Sequence, residues 1–146
     1  MAKLKITTEQ EFLRKISKPV TDFGDRLHCL LDDMRDTLAD ADGVGLAAIQ
    51  VGVLYRVCLV RDSGEICELI NPEIIAHGKE KISEEMCLSI PEVCMRVKRP
   101  QSVTVKAFDR LGKPFTREFR NLASICACHE IDHMDGILFI DRAVTK

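Results

Sequence analysis

The sequence predicts an α+β fold: an N-terminal helix, a mixed, mostly antiparallel sheet, and a C-terminal metal-binding helix carrying H-E-x-x-H. Three observations carry that expectation. Apolar residues recur at helical spacing between residues 23 and 38, and again from residue 122. Between these stretches lie short β-rich runs bounded by Gly, Pro, Asn and Asp. Those runs follow one another through short turns, which suits antiparallel neighbours, because parallel strands need long crossovers.

Residues 1–20 read as an arm closed by K-P-V (18–20). Thr21 or Asp22 can then cap a helix whose stripe is Phe23, Leu27, Leu30, Leu31, Met34 and Leu38, with Gly43 as its stop. The next stretch, G-V-G-L-A-A-I-Q (43–50), has two glycines and small neighbours that allow close backbone approach. A phosphate-binding turn fits it poorly, since no strand precedes it and the third glycine and basic residue are missing. Strand-like runs follow at 56–60, 66–70, 73–76, 81–85, 93–98, 102–109 and 114–119, the last two joined as a hairpin by R-L-G-K (110–113). A second helix begins near Asn121, with Leu122, Ile125, Cys126, His129 and His133 on one face and Gly136 as its stop. Its apolar half reads as core, and residues 137–140 read as a final strand. Without linker or repeat, residues 1–146 are expected to form one domain.

Composition excludes several classes of function. A net charge of −2 with both signs interspersed offers no basic groove for nucleic acid and no polybasic membrane patch. No apolar run has the length of a signal peptide or a bilayer span. Seven cysteines, an odd number without a paired C-x-x-C framework, suggest a reducing compartment and most thiols buried as small hydrophobes. A cytoplasmic protein acting as a monomer is expected.

The chemistry concentrates in C-H-E-I-D-H-M (128–134). On a helix His129 and His133 stand one turn apart on the same face, and Glu130 is rotated by about 100°, within reach of a ligand bound there. Two imidazoles can hold a metal while a carboxylate handles the protons of water. A catalytic metal of this type takes three protein ligands, so one is missing. His28 and His77 read as surface or packing histidines. Asp132 points away from both imidazoles, and Asp135 falls at the helix end. Cys126 and Cys128 lie about 200° apart on the helix and cannot both face a metal. Cys58 and Cys67 read as core. Cys87, where a polar strand gives way to a Pro-containing loop, fits either a ligand or a buried structural thiol.

Three separated motifs together resemble the peptide deformylases, whose patterns are G-φ-G-φ-A-A-x-Q, E-G-C-L-S and Q-H-E-x-D-H (φ apolar). Here they read G-V-G-L-A-A-I-Q (43–50), E-M-C-L-S (85–89) and C-H-E-I-D-H (128–133), in the same order. Flanking pieces extend the resemblance over nearly the whole chain. It implies that Cys87, His129 and His133 hold one divalent metal, Fe²⁺ in most members and Zn²⁺, Ni²⁺ or Co²⁺ in others. Metal-activated water would attack the formyl carbon of an N-formylmethionyl peptide, with Glu130 as general acid/base. Gln50 and the Leu88 amide would receive the formyl oxygen, and formate would be released. Gly43, Val44 and Gly45 would run beside the peptide, with Glu85 and Met86 also at substrate-contacting positions. Val44, Leu122, Ile125 and Cys126 would form the slot for the methionine side chain.

Departures from the family pattern matter at three points. Met86 stands where the family has glycine, which predicts either backbone strain or a narrowed substrate edge with activity retained. Cys128 replaces the family's glutamine and is expected to be packed. The chain ends thirteen residues after His133, whereas bacterial members commonly carry a further helix used in ribosome docking, so docking by that route is not expected. Two other readings share parts of the evidence. A zinc endopeptidase shares H-E-x-x-H but finds no downstream His or Glu ligand here, and a non-catalytic metal- or peptide-binding relative would have its site closed by Met86.

Overall fold

The apolar stripe of the first expected helix becomes α2, Asp25–Ala41, which buries Leu27, Leu31, Met34 and Leu38. In the computed structural model, which describes residues 3–144, α2 starts later than its stripe suggests. Gly24 donates its N–H to the Asp22 carboxylate at 3.0 Å, a local turn that competes with helix. Phe23 is left outside the helix, its ring 6.1 Å from that of Phe108. The C-terminus also differs by one residue. Asp42, at φ 53°, takes the left-handed position expected of Gly43. The N–H groups of Asp42 and Gly43 then reach back to the carbonyls of Ala39 and Leu38, the paired bonds of a Schellman ending. The chain thus leaves α2 at Gly43 already turned towards the sheet. A one-turn helix, α1 (Gln10–Leu13), precedes α2 within the expected arm. The first two residues of that arm, and the last two of the chain, lie outside the described residues.

The strands are β1 (Gly45–Ala47), β2 (Val57–Asp62), β3 (Glu65–His77), β4 (Glu80–Cys87), β5 (Ile90–Pro100), β6 (Ser102–Phe108) and β7 (Pro114–Arg120). They form a five-stranded sheet in the order β1-β2-β3-β6-β7 and a separate β4-β5 pair. Each pairing between these strands is antiparallel, and an isolated parallel bridge joins Lys18 to Tyr55. The glycine segment contributes β1, paired Gly45 to Val60 and Ala47 to Cys58, and then a 3-10 turn, Ala48–Val51.

β2 explains how the core is divided. Val57 and Leu59 join one apolar cluster with Leu31, Met34 and Leu38 of α2. Cys58 and Val60 point the other way, into a cluster with Ala127, Ile131 and Met134 of α3 (Leu122–Met134). A period of two, with a helix on each face of the sheet, turns a continuous apolar run into two half-cores.

The final strand expected at 137–140 is not formed. Phe139–Arg142 is a 3-10 turn, with the Asp141 carboxylate accepting the Leu138 N–H at 3.0 Å. Leu138 and Phe139 are fully buried there, so the apolar run reports burial rather than strand pairing. Leu122 and Ile125 likewise depart from a core reading. Leu122 is 61% exposed and Ile125 is half-buried.

Asn121, immediately before α3, has φ 56° and ψ −126°, a backbone state that suits glycine. Its N–H and carbonyl are both used, towards Gln101 and Ile125. Relief of that strain is partly offset by the flexibility glycine adds to the unfolded chain. Asn121→Gly is therefore expected to raise stability by about 1 kcal/mol, read from urea unfolding midpoints; an unchanged or lowered midpoint would refute the strain.

Candidate metal centre and catalytic helix

Three side chains that are distant in sequence meet beneath the β4-β5 hairpin. The Cys87 Sγ and one nitrogen each from His129 and His133 all lie within 4.8 Å of one another. Cys87 ends β4, directly before the two-residue turn at 88–89, and Ile90 pairs back to it. The hairpin lowers the thiol onto the face of α3 that carries both imidazoles. Cys87 Sγ is 3.4 Å from His133 Nε2, and the two rings stand edge to face with centroids 5.0 Å apart.

The far side of His129 is anchored. Its Nδ1 is 2.9 Å from Glu85 Oε1, which directs Nε2 inward and selects the tautomer a metal ligand needs. Glu85 is in turn held by Arg99, through Nε at 2.7 Å and a second guanidinium nitrogen at 3.2 Å. Glu85 is 5% exposed and hydrogen-bonded to both His129 and Arg99. Period-two alternation in β5 puts Arg99 on the inward face with Val97, and such a buried guanidinium needs carboxylates. That alternation was the one signal for Arg99 available in the sequence.

The surroundings shift the two histidines in opposite directions. Burial opposes charge on His129, but hydrogen bonds to Cys87 and Glu85 outweigh it and push the ring up to about 10. Burial, reinforced by the charges of His129 and Arg99, holds His133 down to about 3, in the neutral ligating form. One thiol and two imidazoles form a coherent donor set for a divalent transition metal, leaving a position open for water.

Beside this set lies Glu130, 4% exposed, with Oε1 buried and unpartnered among the described residues. Burial pushes its carboxyl up to about 7, with His129 pulling down and Glu85 pushing up. Gln50 is 1% exposed in the turn after β1. The Ala47 N–H can only donate, so the amide oxygen of Gln50 faces it at 2.9 Å and Nε2 points the other way. That Nε2 lies 3.1 Å from Ser89 Oγ and 3.7 Å from Cys87 Sγ.

The glycines earn their place by close approach. A Cβ on Gly45 would collide with Cys126 Sγ and stand 2.9 Å from both Glu130 Oε2 and the Leu59 carbonyl oxygen. A Cβ on Gly43 would come within 3.0 Å of the Leu38 and Leu88 side chains. Cys126 and Cys128 are both buried, Cys126 against Gly45 and Cys128 away in the packing. Val44, Met86 and Leu122 are exposed around this region, at 36%, 68% and 61%. Met86 is not among the residues of positive φ, so its replacement of glycine costs no left-handed strain.

A thiol and two imidazoles beside a buried carboxylate suit a metal-dependent hydrolase, and comparison with known proteins specifies which. The polypeptide deformylase family profile matches residues 3–146. A peptide deformylase of Caldicellulosiruptor bescii is 52% identical over 146 residues, 99% of this chain and 87% of that one. Among solved structures, a peptide deformylase from Legionella pneumophila superposes with a TM-score of 0.92 at 45% identity, covering 99% of this chain and 87% of that one. One from Thermotoga maritima gives 0.94 at 34% identity, covering 98% and 99%. The chain belongs to the polypeptide deformylase family. It is a metal-dependent hydrolase that removes the N-formyl group from nascent polypeptides. None of its helices, among the described residues, is long and apolar enough to cross a membrane.

Proposed function

We propose that residues 1–146 work as one deformylase domain in which Cys87, His129 and His133 hold ferrous iron, with zinc, nickel or cobalt able to replace it. The observation that carries this is the convergence of the three donors beside the buried, unpartnered Glu130 carboxylate. A divalent ion held by these three residues would supply Lewis acidity and would let water act as a nucleophile at neutral pH. Glu130 takes the proton of that water as the formyl carbon is attacked and returns it to the departing amine, which cannot leave as an anion. Gln50 Nε2 and the Leu88 N–H donate to the formyl oxygen as negative charge develops on it. Residues 43–45 run beside the peptide as a neighbouring strand, and Val44, Leu122, Ile125 and Cys126 receive the methionine side chain. The cytoplasm, where these thiols stay reduced, fits the seven unpaired cysteines, and we read the protein there as a monomer.

The test is formate release from formyl-Met-Ala-Ser by anaerobically purified protein, paired with metal analysis. Formate with one equivalent of metal is expected. Metal without formate would favour a binding protein, and cleavage of an internal peptide bond would favour a protease.

Met86 bears on specificity. With left-handed strain removed, what remains is a long, exposed side chain one residue from Cys87. Met86→Gly is expected to change relative rates across formyl peptides that differ after the methionine by about fivefold, the equivalent of roughly 1 kcal/mol of apolar contact. Identical relative rates across the panel would sink this role.

A further inference from the structure

Behind His129 the ion pairs do not stop at Arg99. The third nitrogen of its guanidinium donates to Asp132 Oδ2 at 2.6 Å. The same oxygen accepts Arg142 Nε at 2.6 Å, and Arg142 adds a second bond to Oδ1 at 3.1 Å. A continuous chain of alternating charge therefore runs Arg142, Asp132, Arg99, Glu85 and His129, from the 3-10 turn through α3, β5 and β4 and back to α3. Its inner members, Arg99 and Glu85, have side chains 4% exposed, whereas the Arg142 side chain is 46% exposed.

We propose that Arg142 is a positioning residue for the metal site, acting on His129 through this chain. The inference rests on the reading that Cys87, His129 and His133 hold the metal. Arg99 is shared between two carboxylates, Glu85 and Asp132. Arg142 meets Asp132 with two bonds of its own, which leaves Nε and one terminal nitrogen of Arg99 to grip Glu85. Without Arg142 the charge of Asp132 falls wholly on Arg99, and the fork is drawn off Glu85. Glu85 then holds the His129 ring less firmly, and groups that orient a metal-bound histidine govern how well the metal is retained. Lysine at 142 keeps the charge but cannot reproduce the two-bond fork.

Arg14 provides a structural control. It clamps the same 3-10 turn through two bonds to Asp141, at 2.8 and 3.0 Å, without touching Asp132. The test loads wild type, Arg142→Ala, Arg142→Lys and Arg14→Ala with Co²⁺. It follows the cobalt–thiolate absorption and the rate at which a chelator removes the ion, alongside thermal melts. Arg142→Ala should release cobalt about tenfold faster than wild type, with Arg142→Lys between them. Arg14→Ala should release it at the wild-type rate even where its melting temperature falls as far. Equal release from Arg142→Ala and Arg14→Ala, or wild-type release from Arg142→Ala and Arg142→Lys, would overturn the role of Arg142. If Cys87→Ser leaves cobalt binding and its absorption unchanged, the metal-site reading fails first and the proposal falls with it.

Discussion

Glu130→Gln is expected to lower kcat by roughly 10²- to 10⁴-fold while one equivalent of metal stays bound. Glutamine keeps the shape of the side chain and cannot carry the proton. What makes Glu130 suited to the task is its setting. In the metal-free site burial brings its carboxyl up to about 7. The same rise has a consequence for stability that can be read without turnover. The folded protein favours the protonated form more than the unfolded chain does. The stabilisation this provides is fully present below the ordinary value of 4.5 and is lost as pH rises through about 7. The rise from 4.5 to about 7 corresponds to roughly 3 kcal/mol at most. Metal-free Glu130→Gln should therefore match wild type in stability near pH 4.5 and exceed it increasingly up to pH 8. Urea unfolding at several pH values measures this directly. A constant difference between the two proteins would mean that Glu130 does not titrate in this window.

Gln50→Ala should cost about 10²- to 10³-fold in kcat with little change in KM, the signature of a donor that acts on developing charge. The Ala47 N–H holds the amide oxygen, which leaves Nε2 directed at Ser89 and Cys87. Steady-state kinetics on formyl-Met-Ala-Ser separate the outcomes. A raised KM at constant kcat would make Gln50 a ground-state binding residue.

The helices and the hairpins of the sheet were legible in the sequence because each depends on neighbours within a few residues. The stripe Leu27, Leu31, Met34 and Leu38 lies on one side of α2 whatever it packs against. Residues 110–113 form the turn between β6 and β7 for similarly local reasons. Errors came where a local cue met a non-local competitor. Residues 137–140 had the composition of a strand, but burial of Leu138 and Phe139 and the Asp141 cap made a 3-10 turn instead. Nor does local sequence reveal the hydrogen-bond partners of Glu85, since Arg99 and His129 lie 14 and 44 residues away.

By itself, the sequence determined that His129 and His133 face the same way with Glu130 beside them, since a helical repeat of 3.6 residues allows nothing else. It left open whether Cys87 was a ligand or a structural thiol, and resemblance alone tipped that choice. Tertiary structure decided the rest. Only the packing of the β4-β5 hairpin over α3 brings the Cys87 thiol to the imidazoles. Only the approach of β1 to α3, beside the Leu59 carbonyl of β2, crowds out a side chain at Gly45. Only the assembly of four elements lines up Arg142, Asp132, Arg99 and Glu85 behind His129. Each of these is a meeting of surfaces far apart along the chain, where spacing in sequence carries no distance in space.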